Sequence, residues 1–215
     1  MIVRRTKKMF RDYPVSRRSV LVASGGVILA SSVSTAEPAA ARKSTTPRVI
    51  AREVSENGWT LEEIASPGGY IEERRVGGTG ISIFVRIGEA ENALLHVARE
   101  IHYRIREIQT DELFGWEPWK PSMGRSVYSN IASGTALQVR PGARVDAYDS
   151  NEVGTLRQIL LDVGGLVAWG GDLPRRDESL FYLMGNGPRD VERKKKFDKW
   201  ILASSSPGRS AGAKF

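Results

Sequence analysis

Two adjacent acidic residues, Asp177 and Glu178, are the side chains of this sequence best suited to acid–base chemistry. A carboxylate serves as a general base when it is held against the group that loses the proton. Here the pair follows Arg175 and Arg176 in a polar loop. Two interpretations are open, a surviving catalytic carboxylate or a solvated, salt-bridged loop, and without a metal ion the loop is favoured.

Thiol chemistry is excluded and metal chemistry is restricted by composition. The chain has no cysteine, and its two histidines are His96 and His102. Both lie in a predicted helix, 89–108, where six residues correspond to about 240° of rotation, so they point to different faces. We therefore expect no metal ion between them. His96 should pack or cap within the helix, and His102 should lie at the surface.

Four short segments carry a resemblance to a known family. From about Gly58 to Met184 the chain resembles the D-alanyl-D-alanine carboxypeptidase-like metallopeptidases. These include the vancomycin-resistance D,D-carboxypeptidases and share a fold with the Hedgehog signalling domain. The resemblance is carried by residues 95–99 with 114–116, by residues 129–136, by the run Gly-Gly-Leu-Val-Ala-Trp-Gly-Gly-Asp at 164–172, and by residues 177–181.

The resemblance implies a zinc site whose ligands are replaced in this chain. The family motif is S-x-H-x-x-G-x-A-x-D, followed later by a second histidine after an acidic residue. Ile131 occupies the first histidine position, Gln138 the aspartate position and Leu180 the second histidine position. We refer to these residues as the three ligand positions. The matching residues of the motif are Ser129, Gly134 and Ala136.

The substitutions predict that no zinc is bound and that the usual chemistry is lost. Zinc requires nitrogen, sulfur or carboxylate ligands, and the hydrocarbon side chains of Ile131 and Leu180 supply none. Without the metal no water is activated and no carbonyl is polarised. Asp177 stands at the position that supplies the general base in the family, with Glu178 beside it. We expect Ile131 and Leu180 to fill the floor of the pocket with hydrocarbon.

The resemblance also implies where a substrate would lie. Trp119 and Lys120 fall where close relatives carry an aromatic residue and an arginine near the substrate cleft, and Lys120 could hold a peptide carboxylate as a point charge. Ser133 would line the same groove. Against this, Trp116 and Trp119 are more typical of core or rim packing than of a ligand platform.

The positive charge of the chain is concentrated at its beginning. The net charge is +7, and residues 1–41 carry seven basic and two acidic residues, so only two net positive charges remain for the rest. We expect no nucleic-acid partner, since a net charge of two on the rest of the chain creates no strong electrostatic field for a polyanion. A paired arginine at 17–18, a weakly apolar stretch at 20–33 and small residues at 36–41 indicate a twin-arginine-type export signal.

The pattern after the signal predicts a single α+β domain, a small antiparallel sheet flanked by helices. We assign residues 42–57 to a linker, 58–202 to the domain and 203–215 to a disordered tail. Helices are predicted at 89–108, 150–163 and 189–202, with a short helical start at Thr60. Strands are predicted at 81–87, 135–139, 166–169 and 180–184.

Three functions follow from this sequence. The first is a secreted, zinc-free pseudopeptidase that binds peptidoglycan stem peptides or a cell-wall protein, without a stable membrane span after signal removal. The second is an active D,D- or L,D-peptidase with an atypical site. The third is a structural or adaptor domain. The first and third are favoured because all three ligand positions are substituted together.

Overall fold

The computed structural model describes residues 53–205, which fall within one compact unit. The strands are β1 (Ile71–Arg75), β2 (Ser82–Arg86), β3 (Leu113–Phe114), β4 (Ala136–Val139), β5 (Val167–Trp169) and β6 (Leu180–Leu183). The helices are α1 (Glu89–Arg104), α2 (Ser129–Ala132), α3 (Ser150–Asp162) and α4 (Val191–Ser205). The export signal, most of the proposed linker and the last ten residues of the tail lie outside the described residues.

The predicted α+β class is confirmed. β1 and β2 form an antiparallel hairpin, and a second antiparallel sheet has the strand order β3-β4-β6-β5. The backbone N–H of Trp116, just after β3, donates to the carbonyl of Phe84 in β2 over 2.7 Å, which ties the hairpin to the larger sheet. No helix among residues 53–205 is long and apolar enough to cross a membrane.

Helix α1 forms the centre of the main core. Its buried residues recur every three or four positions, as a helix with one apolar face requires. They are Ala90, Ala93, Leu94, Val97, Ala98 and Ile101. The helix ends at Arg104 rather than at the predicted residue 108. Beyond the helix, the backbone N–H of Ile108 donates to His102 Nδ1 over 3.1 Å, which holds the segment after α1 against the last turn of the helix.

The two central strands present different side chains to the two faces of the sheet. Because side chains alternate along a strand, Leu137 and Phe181 face the main core between the sheet, α1 and α3. Ala136 and Leu180 face the opposite side, where they join a smaller apolar cluster with Ile131. The three ligand positions belong to this second face.

Residues 53–57, which the sequence assigned to the linker, are part of the folded domain. Asn57 is buried, and its side-chain amide donates to the carbonyl of Leu183 over 2.9 Å. The helical start predicted at Thr60 is absent. Thr60 instead forms a β-bridge with Val54, and the N–H of Leu61 donates to the carbonyl of Glu53. Non-local backbone bonds override the weak local helical preference of this segment.

Candidate functional site

The three ligand positions come together in space. β4 and β6 pair with Gln138 directly opposite Leu180, and Ile131, from α2, packs in the same apolar cluster as Leu180. Cross-strand partners have Cβ atoms about 5 Å apart. Three positions taken from two separate segments of sequence are therefore neighbours on one face of the sheet.

Hydrocarbon side chains fill the space around Ile131 and Leu180. Leu180 is fully buried and Ile131 is 6% exposed. Met123, Ala132 and Ala136 complete the buried part of the cluster. None of these five side chains offers the nitrogen, thiolate or carboxylate ligand that zinc requires. More widely, residues 53–205 contain no group of three or more His, Asp or Glu side chains placed to hold one.

Gln138, at the aspartate position, belongs to a chain of hydrogen bonds that leads to Asp177. The amide Nε2 of Gln138 donates to Ser179 Oγ over 3.2 Å. Ser179 in turn donates to Asp177 Oδ1 from its hydroxyl over 2.6 Å and from its backbone N–H over 3.2 Å. The amide of Gln138 thus supports a hydroxyl rather than a metal ion.

Asp177 is buried, so the prediction that it lies in a solvated loop is wrong. It is 1% exposed. The hydroxyl of Tyr128 donates to its Oδ2 over 2.6 Å, and Arg144 Nε lies 3.8 Å from the same oxygen. Both carboxylate oxygens are therefore engaged within the protein. A buried carboxylate needs such donors because burial without them is costly.

Tyr128 acts as a donor in this arrangement. Burial, followed by the hydrogen bond to the Asp177 carboxylate, raises the pKa of the Tyr128 hydroxyl above its ordinary value. The hydroxyl therefore stays protonated at neutral pH. It links the start of α2 to the loop before β6. Tyr128 and Arg144 carry no sequence signal of this role, since neither belongs to the segments that carry the resemblance. Ser179 lies in one of those segments but at no ligand position.

Glu178 is buried as well, but it has different partners. Its Oε2 accepts the backbone N–H of Ala147 over 2.7 Å, and its backbone carbonyl accepts the indole N–H of Trp169 over 2.8 Å. The side chain is 6% exposed within the fold and fixes the loop before α3. Asp177 and Glu178 are adjacent in sequence, yet their carboxylates bond to different partners.

Ser133 does not line a groove, and its assignment to substrate binding is wrong. It is fully buried. Its hydroxyl donates to the carbonyl of Asn130 over 3.0 Å and lies 2.8 Å from the hydroxyl of Thr135. These internal partners satisfy the serine hydroxyl, so it belongs to the scaffold.

Trp119 and Lys120 remain at the surface. Trp119 is 40% exposed, and its indole N–H donates weakly to the carbonyl of Gly124 over 3.4 Å. Lys120 forms an exposed ion pair with Glu117. The two residues therefore share no open groove with the buried Asp177 carboxylate.

The histidines lie apart from this site. His96 is partly buried and contacts the ring of Trp200 edge-to-face, with ring centroids 5.4 Å apart. His102 is partly buried rather than at the surface, because its ring accepts the Ile108 N–H. Their different environments agree with the expectation that they point to different faces.

Two shallow depressions lie on the hairpin side of the molecule. One, of about 290 Å³, is lined by residues of 65–67 and β1, and the other, of about 210 Å³, by residues of β2 and 113–117. Phe84 lines both and is 43% exposed. Asp177 and the three ligand positions line neither.

Comparison of the chain with models of known protein families, with curated proteins and with solved structures found no match in any of the three. The site therefore has to be interpreted from its own geometry.

Proposed function

We propose that this chain is an exported, zinc-free protein with a D,D-carboxypeptidase-like fold, which binds cell-wall peptides or a cell-wall protein without cleaving them. The observation that carries the proposal is the meeting of Ile131, Gln138 and Leu180 on one sheet face. A chance match to a sequence motif would not require its separated positions to become neighbours.

The chemistry of the site supports a non-catalytic role. Hydrolysis of a peptide in this family requires a metal-activated water. Two of the positions that would hold the metal carry hydrocarbon side chains, Ile131 and Leu180, and the third carries the neutral amide of Gln138. The carboxylate at the general-base position, Asp177, is 1% exposed and already accepts from Tyr128 and Ser179. General base catalysis alone supplies only about 10²–10⁴-fold acceleration. Binding would use the outer surface, where Trp119 and Lys120 lie.

An adaptor function is a second candidate, favoured by the exposed aromatic surface of the hairpin. Phe84 and Phe114 are 43% and 42% exposed, and Trp116 lies edge-on to Phe84 with centroids 6.4 Å apart. Exposed, grouped aromatic rings are typical of protein-binding surfaces. A protein partner would seat apolar side chains in the depressions on either side of Phe84.

Three assays on the purified protein test these functions. We expect less than a tenth of an equivalent of zinc, no cleavage of a D-alanyl-D-alanine peptide, and retention on purified peptidoglycan. Lys120→Glu should reduce that retention, whereas the matched surface variant Lys199→Glu should not. Cleavage of the peptide would contradict the non-catalytic proposal. Failure of the unaltered protein to bind purified peptidoglycan would shift the interpretation to the adaptor function.

A further inference from the structure

Strand β1 forms the outer edge of the hairpin. The N–H of Ile87 donates to the carbonyl of Tyr70 over 3.0 Å, and the N–H of Val76 donates to the carbonyl of Ile81 over 2.9 Å. Because bonded pairs alternate along an antiparallel ladder, the even-numbered residues of β1 bond to β2. The odd-numbered residues direct their N–H and C=O groups away from β2. They are Ile71, Glu73 and Arg75.

These outward groups are open to pairing with another strand. Within residues 53–205, the carbonyl of Glu73 accepts one long bond, from Arg74 Nη1 over 3.3 Å, and the other outward groups have no partner. Glu73 and Arg75 are exposed. The depression of about 290 Å³ runs beside residues 71–74 and leaves space along the strand. An unpaired strand edge is a template for a further strand.

Two charges of opposite sign stand on this edge. Glu73 and Arg75 are two residues apart, so their side chains lie on the same face of the hairpin. Neither forms an ion pair within the described part of the chain. Charged residues commonly prevent edges from pairing. Here, however, an antiparallel second copy can place each of these charges opposite its counterpart.

Charge distinguishes between the registers that join the outward groups. If Glu73 lies opposite Glu73 of the second copy, like charges face each other, which is destabilising. If it lies opposite Ile71, a carboxylate faces a side chain that is 1% exposed and gains no ion pair. If it lies opposite Arg75, the twofold axis creates two ion pairs, and opposite charges in this arrangement are stabilising.

The neighbouring residues fit the last register. It places Arg74 on the twofold axis, next to Arg74 of the second copy. Each Arg74 guanidinium already pairs with Glu72 at 2.6 Å and with Glu91 at 2.8 Å, which offsets the like charges. The same register places Gly77 opposite Ile71 of the second copy, beside the depression. A glycine there has no side chain to obstruct the approach, and its surroundings are open.

We propose that the protein forms a homodimer in which the β1 strands of two copies pair antiparallel, with Glu73 opposite Arg75 of the second copy. The two hairpins then form one four-stranded sheet with the strand order β2-β1-β1-β2. Pairing through one short edge buries less than a standard interface of about 1,600 Å². The dimer therefore dissociates on dilution.

Charge reversal tests the pairing in the full chain by sedimentation velocity over a concentration series. Glu73→Lys and Arg75→Glu should each be monomeric alone, because each places like charges opposite one another. Their equimolar mixture should dimerise, as should the double variant, since both arrangements restore opposite charges. Glu192→Lys, at an exposed position on α4, is the matched control and should dimerise like the unaltered protein. A monomeric unaltered protein, or a mixture that stays monomeric, would overturn the proposal.

Cross-linking tests the register separately, because the chain has no cysteine of its own. Directly opposite residues of a non-hydrogen-bonded pair have Cα atoms about 4.5 Å apart, within the range of a disulfide. Arg74→Cys should therefore form a disulfide-linked dimer on mild oxidation, seen on a non-reducing gel. Glu72→Cys, which would lie opposite Val76 of the second copy, should cross-link much less. Equal or faster cross-linking of Glu72→Cys, or none of Arg74→Cys, would overturn the proposal.

Discussion

Two buried regions of this molecule differ in how many charged side chains they contain. In the first region, around Leu180, two of the three ligand positions carry hydrocarbon side chains and the other carries the amide of Gln138. The single carboxylate there, that of Asp177, accepts hydrogen bonds mainly from neutral hydroxyls. The second region, around Trp59, retains full ion pairs. There Arg86 pairs with Glu62 at 2.9 Å, and Arg193 pairs with Glu89 at 2.7 Å.

The second region is a stack of rings and guanidinium groups. The guanidinium of Arg86 lies 5.2 Å from the ring centroid of Trp59 and 5.1 Å from that of Tyr70, and Arg193 lies 5.0 Å from Trp59. The stack joins the segment before β1, the hairpin and α4. Charged side chains are thus retained where they connect elements, whereas the face that carries the three ligand positions is mainly apolar.

Removing the ring at the centre of the stack should have the largest effect. Trp59→Ala deletes a 9% exposed indole that contacts both arginines. We expect a loss of about 3–5 kcal/mol in the free energy of unfolding, as for other buried tryptophans. Urea denaturation measures it. Trp119→Ala, at an exposed position, is the control, and an equal loss there would refute the special role of Trp59.

Deleting the Asp177 carboxylate should have a smaller effect. Asp177→Ala leaves the hydroxyls of Tyr128 and Ser179 without their acceptor, which costs about 1–3 kcal/mol. Asp172→Ala removes an exposed carboxylate paired with Arg157 and should cost less than about 1 kcal/mol. If both variants unfold at the same urea concentration, Asp177 has no structural role and a catalytic one regains support.

Stability should fall moderately as the pH decreases from 7.5 to 5. The pKa of His96 is lowered by burial in the folded state, so the unfolded chain binds the proton more tightly. Stability is therefore lost as the pH falls below the unfolded value of about 6.5 and continues to fall toward the folded value. Thermal unfolding across this range measures it. His96→Gln should flatten that part of the profile, and an unchanged slope would contradict the assignment.

The smallest change concerns one hydrogen bond of the first region. Tyr128→Phe keeps the ring, over which the Arg144 guanidinium lies at 6.0 Å, but removes the donor to Asp177. We expect a loss of about 1 kcal/mol, measured by urea denaturation. Tyr103→Phe, which removes an exposed hydroxyl bonded to Gly78, is the matched control and should change stability less.

The periodic elements could be predicted from the sequence, and the polar contacts could not. The apolar spacing of α1 and α3 and the short runs of mainly apolar residues in β4 and β6 located these elements to within a few residues. β1 was missed because only Ile71 of its five residues is buried. The docking of Asn57 against Leu183 was missed because it joins residues 126 positions apart.

The site was predicted in part. The family motif pointed to Ile131, Gln138 and Leu180 as the three ligand positions. The apolar side chains at two of them indicated a pocket filled with hydrocarbon. The burial of Asp177 contradicted the expectation from its arginine neighbours, because local charge does not reveal partners such as Tyr128, 49 residues away. Ser133 was misplaced for the same reason, since its partners form only after the chain folds.

Zinc titration of a restored site is the sharpest test of our proposal that this sheet face corresponds to a metal site whose ligands are replaced. The variant Ile131→His, Gln138→Asp, Leu180→His places three zinc ligands at the three positions, beside Asp177. We expect isothermal titration calorimetry to give one Zn²⁺ per folded chain for this variant and none for the unaltered protein. A folded variant that binds no zinc, or an unaltered protein that binds one equivalent, would contradict the claim.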